Sequence, residues 1–174
     1  MEVASKVKPI EKLGPGGNFD LEDFLPYRLS LLSNTVSQGI AQIYQQDHQL
    51  SIPEWRVMAV LGRYPGLTAS QVCERTVMDK VTVSRAVKML LDKQLVQRLT
   101  HSSDRRKRPL QITRPNGRTL LEEIIPFALG YQAALLKTLT PDEWQLLDGL
   151  IAKLFNASTA LNFQRGVQKK DREI

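Results

Sequence analysis

The sequence contains few of the residues that build metal, redox or covalent catalytic centres. Among its 174 residues are one cysteine, Cys73, and two histidines, His48 and His101. A single cysteine excludes an intrachain disulfide and a cysteine-rich zinc site, and no histidine and cysteine lie at metal-ligand spacing. A phosphate-binding loop with its lysine and hydroxyl is also missing, as is a nucleophile motif. The sequence therefore argues against an enzyme and predicts neither a metal nor another cofactor.

Long apolar segments are also missing. The sequence holds no uninterrupted run of 18 apolar residues, and its first residues lack the apolar core of a signal peptide. We therefore expect a cytoplasmic protein with no membrane partner. The hydrophobic share of 42% and the charged share of 24% are ordinary for a soluble domain with an appended element. Cys73 follows Val72 on a short predicted helix, which favours a core position over a redox switch.

Positive charge is concentrated in one part of the chain. The formal net charge is +6, and the stretch from Thr68 to Thr113 holds ten basic and four acidic side chains, so it carries the whole excess. A basic surface of this kind is typical of a protein that binds a polyanion such as nucleic acid. The alternative is a solvated basic face without a partner.

The N-terminal third predicts one long helix after a tail. Residues 1–18 include Gly14-Pro-Gly-Gly17 and predict a flexible tail. Asp20 or Asp23 is the expected N-cap of a helix that ends near Asp47. Its apolar stripe follows three- and four-residue spacing: Leu25, Leu29, Leu32, Val36, Ile40 and Ile43. The helix is long for so small a domain, and a partner helix could cover part of this stripe.

Three shorter helices are predicted between residues 51 and 93. Capping boxes at Ser51–Glu54 and Thr68–Gln71 each open a helix, and Asp79 is the expected N-cap of the third. The periodicity then changes to the alternation of strands in Leu95–Leu99 and Leu110–Ile112. Two short strands around a polar tip predict a β-hairpin. Three helices followed by a hairpin, over residues 51–113, form a winged helix-turn-helix.

Two further helices are predicted from residue 114 to residue 165. The apolar pattern continues on both sides of Pro126, so we expect this proline to bend its helix rather than end it. Thr140–Glu143 is a third capping box, and it opens a last helix that reaches Phe163. Residues 166–174 predict a second flexible tail. The predicted fold class is mainly α with a small β-hairpin.

The third short helix has the composition of a DNA-reading helix. Its apolar stripe includes Val83 and Val87, which leaves short hydroxyls and long cations on the outer faces. Hydroxyls bond bases or phosphates, and arginine bonds guanine through two donors. The alternative is an ordinary amphipathic surface helix. The predicted DNA-binding residues of the helix-turn-helix are Ser70, Lys80, Val81, Thr82, Ser84, Arg85 and Lys88.

The tip of the hairpin carries a run of four cations, Arg105 to Arg108. Arginine on such an arm can enter the minor groove, and Asp104 can hold Arg106 in position by a charge-assisted hydrogen bond. The alternative is a solvated charged loop. The predicted DNA-binding residues of this tip are Asp104, Arg105, Arg106 and Lys107.

These motifs together resemble those of the MarR/SlyA family of bacterial transcription regulators, over residues 24–155. The resemblance rests on Leu50–Met58, on Leu67-Thr68, on Asp79–Arg85, and on a wing signature. Asp104, Arg106, Thr113 and Gly117 match the wing signature in order. The resemblance implies a homodimer whose paired winged domains bind a DNA palindrome. Residues 19–50 and 114–165 would then be its dimerisation helices, and residues 51–113 its DNA-binding domain.

The resemblance also implies a small-molecule effector. Family members often bind small aromatic acids in the cleft between the dimerisation helices and the winged domain. Arg28 is placed to clamp a carboxylate, and Tyr27, His48 and Trp55 are candidates to line the same cleft. The alternative is that Arg28 pairs with an acid and that Trp55 belongs to the core. The family's peroxide-sensing cysteine lies early in the first helix, where this chain has none.

The sequence therefore predicts a transcriptional repressor that binds double-stranded DNA as a homodimer and is released by a small effector. The rival interpretation is a winged-helix scaffold that binds protein or RNA without an effector. A more distant rival is a subunit of a nucleic-acid enzyme. An outward-facing set of serine, threonine and arginine at the start of the reading helix favours the regulator.

Overall fold

The computed structural model describes residues 20–99 and 108–170, with side chains as far as residue 162. Within these ranges six helices accompany one two-stranded antiparallel sheet, so the predicted mainly α fold with a β-hairpin is confirmed. In chain order the elements are α1 (Leu25–His48), α2 (Ile52–Arg63), α3 (Ala69–Thr76), α4 (Lys80–Asp92), β1 (Val96–Arg98), β2 (Leu110–Ile112), α5 (Asn116–Leu136) and α6 (Pro141–Lys170).

Local caps set the start of four helices, as the sequence predicted. Ser51, Thr68 and Thr140 each accept the backbone N–H of the third helical residue, whose side chain accepts the N–H of the cap in return. Asp79 accepts the backbone N–H groups of Val81 and Thr82, both at 2.9 Å. These bonds satisfy amides that would otherwise lack a partner at a helix start.

The start of α1 differs from the prediction. Its N-cap is Phe24 in extended conformation, with no side-chain cap hydrogen bond, instead of Asp20 or Asp23. Asp20 lies in the preceding turn, where it accepts the N–H of Glu22 at 3.2 Å. Pro26 in the first turn explains the boundary, since its fixed φ suits a helix start and its missing N–H needs no acceptor.

The first of two compact units, which ends at Ala128, has its apolar core between α2, α4 and the hairpin. Val96 pairs with Ile112 and Arg98 with Leu110, while Leu67 forms a further bridge to Leu110. Such a hairpin is marginal alone, so its buried apolar side chains must hold it on the helices. The largest fully buried side chains are Tyr44, Leu50, Val57, Met58, Leu61, Val72, Val83, Leu90, Val96, Leu110 and Ile124.

Helix α5 continues through Pro126, as predicted. Among the described residues it is also long and apolar enough to cross a membrane, with a mean hydropathy of 1.2. The expectation from the sequence concerned an uninterrupted run of 18 apolar residues, and α5 contains no such run, because charged residues such as Glu122 and Glu123 interrupt it. Its first half uses three apolar residues for packing, since Leu120, Leu121 and Ile124 belong to the core.

The second unit begins at Leu129 and holds the end of α5 and the long helix α6. Helix α6 continues to Lys170, so the prediction of a tail from residue 166 is wrong for residues 166–170. The single Gly166 costs only about 1 kcal/mol inside a helix, which is too little to end one. Every side chain described in α6 is exposed in the isolated chain.

Val77, in the turn between α3 and α4, combines a branched side chain with a left-handed backbone (φ 54°). This conformation costs a residue with a Cβ about 1–2 kcal/mol, and the Val77 side chain is 79% exposed, so it has few contacts to lose. We expect Val77→Gly to raise the free energy of unfolding by about 1 kcal/mol in urea titration. Val77→Ala keeps the Cβ and should change little. An equal gain from both variants would contradict the backbone explanation.

Candidate nucleic-acid interface

Helix α4 has one buried and one exposed face. Val83, Val87 and Leu90 are buried in the core. The opposite side presents five of the predicted DNA-binding residues, all exposed: Lys80, Val81, Ser84, Arg85 and Lys88. The structure therefore brings these five together on one surface, with no acidic side chain among them.

Thr82 differs from the other predicted residues of α4. Its side chain is half-buried, and its hydroxyl donates to the Asp79 carboxylate. The side-chain and backbone hydrogen bonds from Thr82 hold the pKa of Asp79 below its usual range. Because its proton is donated to Asp79, the Thr82 hydroxyl retains only acceptor capacity toward a ligand. This residue therefore stabilises the start of α4.

Ser70 is exposed in the first turn of α3, the helix that precedes α4. Val72 anchors α3 in the core, and the half-buried Met78 packs against the same core from the turn before α4. Two helices joined by such a short turn are the arrangement in which the second helix enters a major groove.

The hairpin leads toward the predicted wing tip. The Leu99 N–H donates to the Pro109 carbonyl at 2.9 Å, and Arg98 and Arg108 are exposed on either side of this bond. The predicted tip residues Asp104, Arg105, Arg106 and Lys107 lie outside the described residues, so the structure does not test them.

Sequence reasoning missed a pair of cations stacked on one ring. The guanidinium carbons of Arg75 and Arg63 lie 3.9 Å and 5.1 Å from the Tyr64 ring centroid. Cations within about 6 Å of an aromatic ring are attracted to its face. Arg75 is in α3 and Tyr64 follows α2, so only the packing of the two helices reveals this contact.

The four predicted effector residues do not converge within one chain. Tyr27 and Arg28 are exposed in the first turn of the 24-residue α1, and His48 ends the same helix. At about 1.5 Å of rise per residue, Arg28 and His48 are about 30 Å apart. His48 Nε2 instead lies 3.9 Å from the Glu123 carboxylate, beside an open cleft of about 480 Å³.

Trp55 packs against the core, which the sequence analysis gave as the alternative to a place in the effector cleft. Its ring stacks on Tyr44 at 5.5 Å, and both line a small cleft of about 90 Å³ with Arg56 and Ser37. Arg56 donates to the Ser37 hydroxyl at 3.1 Å. Burial raises the pKa of the Tyr44 phenol to about 12, against the opposing effect of the Arg56 charge. The predictions from sequence included neither Tyr44 nor Arg56.

Comparison with known proteins agrees with this geometry. A sequence profile of the MarR family matches residues 48–107, which include α2 to α4 and β1. A MarR family transcriptional regulator from Silicibacter pomeroyi DSS has 30% sequence identity and a TM-score of 0.69, over 83% of this chain and 96% of that one. The chain belongs to the MarR family. As a MarR-family protein it is a transcriptional regulator with a winged-helix fold, and the family consists of regulators rather than enzymes.

Other MarR-family relatives match over similar lengths. The transcriptional regulator HosA from Escherichia coli O111:H- is 26% identical over 134 residues, which are 72% of this chain and 98% of HosA. The MarR/EmrR family regulator from Acinetobacter sp. ADP1 has 25% identity and a TM-score of 0.74, over 82% of this chain and 99% of that one. BpsR from Bordetella bronchiseptica, whose DNA binding is regulated by 6-hydroxynicotinic acid, is 26% identical with a TM-score of 0.63.

Proposed function

We propose that this MarR-family regulator is a cytoplasmic repressor that binds a palindromic operator as a homodimer and is released by a small aromatic acid. The observation that carries the proposal is the exposed face of α4, where Lys80, Arg85 and Lys88 surround the polar Ser84. Its acidic neighbour Asp79 is occupied as the helix cap. A helix with this surface fits a major groove, where long cations reach phosphates and guanine edges.

The wing completes the proposed interface. Arg106 on the hairpin tip is proposed to enter the minor groove, with Arg105 and Lys107 on neighbouring phosphates. Asp104 is proposed to orient Arg106. The support is that Arg98, at the end of β1, and Arg108, which precedes β2, are both exposed where the hairpin leads to this tip. Narrow minor grooves concentrate negative potential, which attracts arginine.

Exposed apolar side chains support the homodimer. In α1, Leu25, Leu29 and Leu32 are 47–59% exposed. Helix α6 exposes a further apolar set: Leu146, Leu147, Leu150, Ile151, Leu154 and Phe155. Apolar patches of this extent are uncommon on monomers and mark contact surfaces. We propose that a second copy covers them, with residues 19–50 and 114–165 as dimerisation segments and residues 51–113 as the DNA-binding domain.

The proposed effector is supported by the relative BpsR, whose DNA binding is regulated by 6-hydroxynicotinic acid. The distances along α1 limit how the four candidate residues can share one site. Arg28 and Tyr27 carry the groups that would bind a carboxylate and an aromatic ring. They are about 30 Å from His48, at the other end of α1. A shared site with His48 and Trp55 therefore requires the two chains of a dimer to contribute different members.

Selection of bound sequences from random duplex DNA tests the proposal. We expect an enriched palindrome, bound by a species of twice the 19.7 kDa chain mass. A screen of small aromatic acids should then yield one that releases the DNA. Enrichment of no sequence, together with binding to RNA or to a protein, would favour the scaffold interpretation. A stable, folded monomer at micromolar concentration would contradict the dimer.

Arg85→Ala should weaken binding to the selected operator by about 1–3 kcal/mol, the contribution of one bidentate base contact. Base preference should relax at one position per half-site, which a repeated selection measures. Arg118→Ala is the matched control, because it removes the same charge from an exposed residue of α5. Unchanged affinity and preference for Arg85→Ala would show that α4 is not the reading helix.

A further inference from the structure

Val81 lies on the exposed face of α4, near the N-terminal end of the helix. It lies in the first turn of the helix, and its side chain is 58% exposed. Leu90, which is fully buried, follows nine residues later, or about two and a half turns along the helix. The two side chains therefore project in opposite directions, and Val81 faces directly away from the core.

No folding role accounts for valine at this position. The exposed side chain adds nothing to the core cluster. Valine also has a lower helix propensity than alanine or the long polar residues. On the same side of α4, the exposed residues near Val81 are a hydroxyl and three cations: Ser84, Lys80, Arg85 and Lys88. The exposed Asp79 carboxylate is engaged as the helix cap, where it accepts the N–H of Val81. An apolar side chain among cations on an exposed surface suits a small apolar group carried by a polyanion.

We propose that Val81 contacts the 5-methyl group of a thymine in the major groove and thereby determines one base of the operator. Among the groups that base pairs expose in the major groove, the thymine methyl is the apolar one. Residues at the N-terminal end of a reading helix are those that reach base edges. The proposal rests on the proposed function, since it requires α4 to lie in the groove. Three flanking cations favour DNA over a protein partner as the occupant of this face.

Deoxyuridine substitution tests the contact one methyl group at a time. Uracil keeps the pairing and hydrogen-bond pattern of thymine and lacks only the methyl group. The operator is first selected from random duplex DNA with the wild-type protein. Each thymine of a half-site is then replaced by deoxyuridine, and the affinities of wild type and Val81→Ala are measured. At one thymine we expect the wild type to lose about fourfold in affinity, the value of one buried methyl group. Substitution in both half-sites should lower the affinity of the wild type about 15-fold.

Val81→Ala should bind the thymine operator more weakly than the wild type and should not distinguish thymine from uracil at that position. Val77→Ala is the matched control, since it removes the same two methyl groups from another exposed valine of the helix-turn-helix. It should retain the full preference for thymine. Thermal unfolding of Val81→Ala should match or exceed that of the wild type, because alanine is the better helix former.

The outcomes separate this inference from the proposed function. Equal discrimination of thymine and uracil by wild type and Val81→Ala would overturn the inference, while an enriched palindrome would leave the regulator intact. Unchanged DNA binding by Val81→Ala would overturn it too. Enrichment of no sequence would remove the proposed function, and the inference with it.

Discussion

Replacing Gly117 by alanine is expected to lower the free energy of unfolding by about 3 kcal/mol or more. A Cβ on this buried residue would lie 2.1 Å from the carbonyl oxygen of Leu95 and 2.9 Å from Cγ2 of Ile112. The Leu95 oxygen cannot retreat easily, because it accepts the N–H of Thr113 at 3.0 Å. Gly117 itself donates to the Thr113 hydroxyl at 3.1 Å. The contact joins the base of the hairpin to the first turn of α5, so both would have to shift.

Gly62→Ala is the matched comparison for Gly117→Ala. Its added Cβ would meet Cδ1 of Leu121 at 2.8 Å, which is the end of a flexible side chain. Alanine also gains about 1 kcal/mol over glycine inside a helix, so the net change should stay within about 1 kcal/mol. Urea titration of both variants measures the difference. Similar losses for the two substitutions would show that the backbone contact at Gly117 is not the cause.

Lys93→Ala is expected to lower the free energy of unfolding by about 3 kcal/mol, because it leaves a buried carboxylate without its cation. Lys93 Nζ donates to Glu54 Oε1 and to the Gln49 carbonyl, both at 2.7 Å. The Glu54 side chain is 6% exposed and that of Lys93 is 27% exposed. Lys93 caps the end of α4, Gln49 follows α1 and Glu54 lies in α2, so one ammonium group ties three helices together.

A second substitution tests whether the buried charge is the cause. Glu54→Gln in the Lys93→Ala background removes the unpaired carboxylate, so the double variant should be more stable than Lys93→Ala alone. Arg118→Ala breaks the exposed pair with Glu122 and should cost less than about 0.5 kcal/mol. If the changes in the free energy of unfolding caused by Lys93→Ala and Glu54→Gln are additive in the double variant, the carboxylate is not the source of the loss.

The same carboxyl predicts a pH dependence. Burial raises the pKa of Glu54, but hydrogen bonds from Lys93 and Ser51 outweigh it and hold the pKa below its usual range. An acid with a lowered pKa contributes stability above the pKa of the unfolded chain, about 4.3, and loses it as pH falls through the folded-state value. Lys93→Ala should therefore lose less stability than the wild type between pH 7 and pH 3, as chemical denaturation at each pH measures.

The sequence by itself determined where most helices begin. Four helices begin at a polar cap that bonds to residues only two or three positions away: Ser51, Thr68, Asp79 and Thr140. These helix starts therefore do not depend on the rest of the fold. Helix α1 departed from this rule because a proline, rather than a polar cap, sets its start. The alternation of apolar residues likewise placed the hairpin, and the three- and four-residue spacing identified the buried face of α4.

Tertiary structure alone decided which distant residues meet. Periodicity shows that a face is buried, but the partner of each side chain depends on how the elements pack. The approach of Gly117 to Leu95, the Lys93–Glu54 pair and the stacking of Arg75 on Tyr64 are contacts of this kind. Secondary structure, by contrast, separates Arg28 from His48, which the resemblance had placed in one cleft, because the 24-residue α1 holds them near its two ends. Local hydrogen bonds are fixed by spacing in the chain, whereas these contacts exist only once the core has brought the elements together.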